Sequence, residues 1–325
     1  MKKGFNSRNF GMLALMFLFL VFAGISCKNQ SKPSQDDQEK TRDKATEQAA
    51  DSSSEHLKAS APDTTGMVYF EAGRFMMGNE GGAPDQQPVH EQQVKPFYLD
   101  KHPVTVAEFR RFVEETGYST DADSYGNAGV FLFDQGRWNL VDGANWEYPL
   151  GPSGPKAKEN HPVTQVSWRD ARAYCQWAGK QLPSEQQWEY AATNGGKLEA
   201  RYPWGNNKVQ TNGRYRANVW QGTIQNPKVA DGFKLTSPVG HYGEHPSGLS
   251  DMAGNVWEWC RDVYHAYPGS QASIRENTKV RVIRGGSFFY DQAGAESYSV
   301  TYRSKNTIET SLFNLGFRCA YNPDR

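Results

Sequence analysis

Between Arg284 and Thr307 the chain runs RGGSFFYDQAGAESYSVTYRSKNT, and Tyr290, Asp291, Glu296, Tyr298, Tyr302 and Arg303 all fall within it. Carboxylates and phenols at this density, placed in a cleft, can serve as general acid and base or bind sugars, peptides and cationic groups. They can equally form an unconstrained polar surface. The stretch holds no cysteine, so it offers no thiolate to a soft metal. The cysteines of the chain are Cys27, Cys175, Cys260 and Cys319. Cys260 follows a Trp-Glu-Trp run and suits a small buried hydrophobe better than a reactive thiol. His241 and His245, with His265 beyond them, flank Gly and Pro in a loop. That setting fits solvent-exposed histidines better than a zinc site, whose ligands need a fixed geometry.

The elements that must position these groups follow from local pattern. Lys2, Lys3 and Arg8 precede an apolar run from Met12 to Phe22, the form of an export signal too short to span a bilayer. The run ends in Ala23-Gly24-Ile25-Ser26-Cys27, which resembles a bacterial lipobox with Cys27 as the lipidated residue; ordinary signal cleavage nearby is the alternative. Residues 1–26 are therefore expected to be a signal peptide. Residues 27–65 form a polar tether lacking the apolar residues needed to offset the entropy of ordering, and residues 66–325 form the domain. The formal charge sums to zero, which gives no bulk electrostatic reason to expect nucleic acid as a partner.

Within the domain, MVYFEAGRFMMG has the form of two strands joined as a hairpin about Glu71-Ala72-Gly73, and PFYLDKHPV that of a third strand. Capping boxes at Thr105–Glu108 and Ser167–Asp170 open helices that stop at Gly117 and Gly179. A third helix starts at Ser184 and runs to Ala192. Residues 119–160 show no sustained periodicity and are assigned to loop. With 31 Gly, nine Trp and little regular patterning after Ala192, the domain is expected to be α+β, with loops outweighing regular elements.

Six segments occur in a recognisable order: HPVTQVSWRDARAYCQWAGKQLPSEQQWEYAA, RANVWQG, DGF, PSGLSDMAGNVWEW, RVIRGGS and NLGFRC. In this order the domain resembles the formylglycine-generating enzyme family, the sulfatase-modifying factors, over residues 67–322. The resemblance implies a variant of the C-type lectin fold with low regular secondary structure. In active members two cysteines hold copper(I), and dioxygen oxidises a sulfatase cysteine to formylglycine. Aligned without gaps, those two positions are Tyr290 and Ala295, so no copper is expected. The residues between Arg284 and Thr307 that carry polar chemistry then become candidates for lining the former groove.

The resemblance also implies a disulfide between Cys175 and Cys319, with a second family bridge lost jointly at Ala192 and Val300. It implies two structural Ca²⁺ sites. One takes Asn218, the Val219 carbonyl, Asp231 and the Phe233 carbonyl. The other takes Asp251, the Gly254 and Val256 carbonyls, and Glu258. Oxygen donors of this kind suit a hard cation, although the same residues can hydrogen-bond loop amides with no ion present. His161 and Arg318 fall in family motifs and are assigned structural roles.

Two functions from different classes follow. The leading expectation is a non-catalytic binding or envelope-assembly module. It would be lipid-anchored in the cell envelope, at the outer membrane rather than the inner, with envelope proteins or a peptide or glycan ligand as partner. The alternative is a periplasmic oxidoreductase of different chemistry on the same scaffold, resembling siderophore-maturation relatives; an atypical formylglycine-generating enzyme ranks below both.

Overall fold

Side-chain caps set the helix starts. The Thr105 hydroxyl accepts the Glu108 N–H, while the Glu108 carboxylate accepts the Thr105 N–H at 2.7 Å. This closes the capping box that opens α1 (Val106–Thr116), and Gly117 at φ 66° ends it. Thr120 and Asp123 build the same box for a short α2 (Asp121–Tyr125). Ser167 with Asp170 opens α3 (Trp168–Trp177), and Ser184 with Gln187 opens α4 (Glu185–Ala192). The structure, a computed structural model, describes residues 62–223, 226–289 and 295–323. The expected signal peptide, Cys27 and nearly all of the tether lie outside them.

The strands differ from expectation in their partners. β1 (Met67–Phe70) and β2 (Gly73–Met77) form where expected, but they do not pair with each other. β1 lies antiparallel to β4 (Phe97–Asp100), and β2 to β3 (His90–Val94). Two residues separate β1 from β2, and each strand finds a longer register elsewhere: Met67–Phe70 matches all four residues of β4. The segment assigned to loop also carries a hairpin, β5 (Asn127–Leu132) with β6 (Arg137–Asp142), besides α2. A five-residue helix and a six-residue strand are too short to show a period.

A four-stranded sheet lies at the centre, built from β7 (Trp257–Val263), β8 (Val280–Arg284), β9 (Arg303–Thr307) and β10 (Leu315–Gly316), in the order β9-β8-β7-β10. β11 (Ala320–Tyr321) then returns to pair with β4. Phe109 and Phe112 of α1 and Tyr174 of α3 pack with Trp257, Trp259 and Phe317 in one aromatic core. Trp188, Ala191 and Ala192 of α4 pack with Phe70, Phe97, Leu99 and Met252 in a second. Cys175 in α3 and Cys319 before β11 are joined by a disulfide, as expected. Cys260 is buried and unbridged.

Both aromatic cores enclose ion pairs. Arg318 donates to both carboxylate oxygens of Glu258 at 2.7 Å, and Trp188 Nε1 donates to the same carboxylate at 2.8 Å. Glu185 and Glu189 of α4 face Arg284 of β8 and Arg303 of β9. Charges buried this deeply are held by pairing and hydrogen bonding, although Arg284 Nε has no partner among the described residues.

Candidate functional site

The end of β8 leads into the cysteine-free stretch, and two glycines set its base. Gly286 has φ 69°, and a Cβ there would fall 2.7 Å from the Ser297 carbonyl and 2.9 Å from Tyr298 Cβ. The chain entering the stretch therefore lies against the chain leaving it, and only glycine permits that approach. Tyr290 and Asp291 lie outside the described residues. Ala295 opens a 3₁₀ turn, Ala295–Tyr298.

The remaining groove candidates separate by burial. Glu296 is exposed and paired with Arg201, and Tyr302 is half-buried with its ring 6.0 Å from Trp257. Tyr298 and Arg303 are only 2% exposed, which corrects the expectation that they line a groove. Tyr298 stacks on Tyr202 at 5.6 Å. Arg303 is held at both oxygens of Glu185, by the carbonyls of Asp85 and His265, and over the ring of Tyr267 at 4.1 Å. With its donors and its faces occupied, it is a structural cation.

An aromatic wall stands at the start of the stretch. Phe289, directly before Tyr290, lies 4.6 Å from Phe131, 5.9 Å from Trp138 and 5.9 Å from Trp220, ring to ring. Phe133 stacks on Trp220 at 5.2 Å. Two of these rings come from β5 and β6, in the segment the sequence reading left as loop. The alternation of Phe131, Phe133 and Trp138, Leu140 is the signal that marks it. With Phe131 7% and Trp220 5% exposed, these rings pack chiefly on one another, as a small aromatic core at the start of the stretch.

The calcium candidates buttress the same base. The Gly254 N–H donates to the Gly285 carbonyl at 2.8 Å, and Phe288 N–H to the Asn255 carbonyl at 2.9 Å. Asp251 and Asn255 both hold positive φ, 55° and 57°, a backbone form that swings successive carbonyls off a common line. Asp251 is 5% exposed and Glu258 fully buried. Burial raises the Asp251 carboxyl above its usual range; the Gly240 N–H and Arg318 oppose this, and Glu258 adds to it. Glu258 is already matched by Arg318 and Trp188, so Asp251 and the loop carbonyls are the oxygens this site could offer a cation.

At the other candidate site, Asn218 donates to the Leu235 carbonyl, and its Oδ1 is buried with no partner among the described residues. Asp231 accepts from Phe233 N–H and, at 2.7 Å, from the Tyr242 hydroxyl. A buried amide oxygen without a partner is a donor of the kind a hard cation takes, so Asn218 is compatible with oxygen-ligated Ca²⁺. Among the described residues no three His, Cys, Asp or Glu side chains gather to hold a metal. Both candidates depend on carbonyl and amide oxygens.

The histidines divide. His241 is exposed against Phe233, whereas His245 is 8% exposed and its ring lies 5.8 Å from Trp204. Burial, then the charges of Arg318 and Arg216, push the His245 pKa down to about 4. Burial and Lys158 push His161 to about 4 as well, its Nδ1 bonded to the Thr236 hydroxyl at 2.9 Å. The unfolded chain, titrating near 6.5, therefore takes up these protons first as pH falls. Stability from each ring is complete above 6.5 and is lost as pH drops toward 4. Denaturant unfolding at pH 7 and at pH 5 is expected to show that His245→Gln removes about 2 kcal/mol of the acid-side loss.

Comparison with known proteins agrees with this architecture. The family described as sulfatase-modifying factor enzyme 1-like domain matches residues 53–323. The chain is 40% identical to the formylglycine-generating enzyme of Streptomyces coelicolor, over 80% of this chain and 90% of that one. It is 41% identical to the inactive C-alpha-formylglycine-generating enzyme 2 of Bos taurus, over 81% and 90%. Among solved structures, PvdO from Pseudomonas aeruginosa superposes with a TM-score of 0.59 at 26% identity, covering 79% of this chain and 94% of that one. The Treponema denticola variable protein 1 shares the fold, with a TM-score of 0.56 at 19% identity over 79% and 95%. The fold, the loop-built base of the stretch and this family match together establish that the chain belongs to the sulfatase-modifying factor enzyme 1-like domain family.

Proposed function

We propose that this chain is a non-catalytic binding or assembly module, lipid-anchored through Cys27 in the cell envelope, at the outer membrane. The observation that carries the reading is the replacement of both copper-ligand positions, by Tyr290 and Ala295, in a stretch with no cysteine from Gly285 to Arg318. Among the described residues no cysteine compensates: Cys175 and Cys319 are bridged, and Cys260 is buried, where desolvation pushes its thiol well above the usual range. Phenol and methyl groups do not replace thiolates toward copper(I). The 41% identity to a relative described as inactive supports the same reading.

In this role the domain keeps its scaffold and uses its surface. The exposed Glu296, the half-buried Tyr302 and the partly exposed ring of Phe289 are the groups of this stretch left to meet a peptide or glycan ligand or an envelope protein. Calcium at Asn218–Phe233 and at Asp251–Glu258 would pin the loops behind that surface, a structural task with no redox part.

Metal analysis of the purified protein tests this. The expected result is calcium without stoichiometric copper or iron. Chelation is expected to lower unfolding stability by about 2.7 kcal/mol per site when calcium had stood at about 100-fold its dissociation constant. Tightly held stoichiometric copper or iron would instead favour an oxidoreductase of the siderophore-maturation kind.

A further inference from the structure

On another face of the domain, a cavity of about 270 Å³ is lined by Trp168, Arg172, Gln176, Lys180, Gln181, Leu182 and Arg261. We propose that it binds a phosphate or sulfate group, carried by Arg172 of α3 and Arg261 of β7 over the Trp168 ring. Trp168, Arg172 and Gln176 are spaced four apart and so rise along one face of α3. Trp168 is fixed as a plate because its Nε1 donates to the Cys260 carbonyl at 3.0 Å. The Arg281 guanidinium of β8 lies 4.5 Å from the ring centroid and that of Arg172 5.6 Å.

The cluster has more donors than acceptors. No carboxylate lines the cavity. Lys180 is engaged by Asp100 at 2.7 Å, and Asp262, next to Arg261, spends an oxygen on the Glu185 N–H at 2.6 Å. Against these two carboxylates stand Arg172, Arg261, Arg281 and Lys180, an excess of two positive charges. Neither Arg172 nor Arg261 has a carboxylate within ion-pair distance among the described residues. Among the lining residues, Gln181 also has a buried donor, Nε2, with no acceptor among the described residues.

A group made only of acceptors, with negative charge, answers all of these at once. Tetrahedral oxyanions and forked guanidiniums match in geometry, and such charge-assisted bonds are the strong ones. The volume falls just under that of small-molecule sites, room for the anion and a small attached group. The source is either a soluble phosphate or sulfate ester or the headgroup of an anionic lipid.

The test measures binding of the full-length protein to inorganic phosphate and to sulfate by calorimetry. In parallel it measures association with phosphatidylcholine vesicles with and without phosphatidylglycerol. Wild type is expected to bind in a saturable, salt-sensitive way. Arg172→Ala/Arg261→Ala, both exposed positions, is expected to weaken binding on the order of tenfold with an unchanged melting temperature. Arg137→Ala, exposed elsewhere, is expected to bind as wild type does. Phosphate or sulfate binding lost in the double variant identifies a soluble ligand. A phosphatidylglycerol-dependent increment lost in that variant, with no binding of the free anions, identifies a headgroup. Binding of no probe, or equal binding by wild type and the double variant, overturns the proposal.

Discussion

Glu185→Gln is expected to destabilise the domain by about 3–5 kcal/mol, the cost of leaving buried charge uncompensated. Glu185 accepts from Arg284 at 2.7 Å and from Arg303 at 2.8 and 2.7 Å, and the side chains of both arginines are fully buried. Although burial alone would raise the Glu185 carboxyl, the two guanidiniums outweigh it and hold it below its usual range. Its stabilising contribution is thus present above the unfolded pKa and lost as pH falls through the lower folded value. The neutral amide removes the one carboxylate paired with Arg303 among the described residues, leaving it two carbonyls and two tyrosine faces. Replacing the pair together, as Glu185→Leu with Arg303→Met, leaves Arg284 matched one-to-one with Glu189 at 2.5 Å. Chemical denaturation should therefore show much of the loss recovered in the double variant. Equal destabilisation of the two variants would mean that packing, not charge, is what the network supplies.

Loss of the Cys175–Cys319 bridge is expected to cost about 3–5 kcal/mol in the chain-entropy account. The bridge closes a loop of sequence separation 144 and ties α3 to the segment before β11. Both cysteines are fully buried, so alanine is the better probe, because serine would add unpartnered hydroxyls. Cys175→Ala and Cys175→Ala/Cys319→Ala are expected to be destabilised to nearly the same extent, since the first substitution already opens the loop. Reduction of the wild type should give a matching decrease in denaturation midpoint. A single variant within about 1 kcal/mol of wild type, against the usual range for native bridges, would show that the packing between α3 and β11 holds the ends without it.

Much of the scaffold was legible because its signals are local. The boxes at Thr105–Glu108 and Ser167–Asp170 and the stop at Gly117 depend on neighbours within four residues, and they appear where the sequence placed them. Strand pairing is not local. Nothing in MVYFEAGRFMMG distinguishes a hairpin from two strands that each find a distant partner, and β1 meets its register in β4, some thirty residues on. The groove was legible in part for the same reason. Tyr298 and Arg303 carry polar groups that suggest a site, but their burial is decided by Tyr202 and Glu185, more than ninety residues away in sequence. The aromatic wall at Phe289 was missed because its partners Phe131 and Trp138 lie in strands too short to announce themselves. The basic cavity is likewise assembled from α3, the segment after it and β7, with no motif of its own.

The most direct test of the account is incubation of the purified protein with copper(I), dioxygen and a peptide carrying the sulfatase Cys-x-Pro-x-Arg motif, followed by mass spectrometry for the aldehyde. If Tyr290 and Ala295 stand at the two ligand positions, as proposed, the peptide cysteine is recovered unchanged. Catalytic formation of formylglycine, abolished by a substitution in the stretch from Gly285 to Thr307, would contradict it.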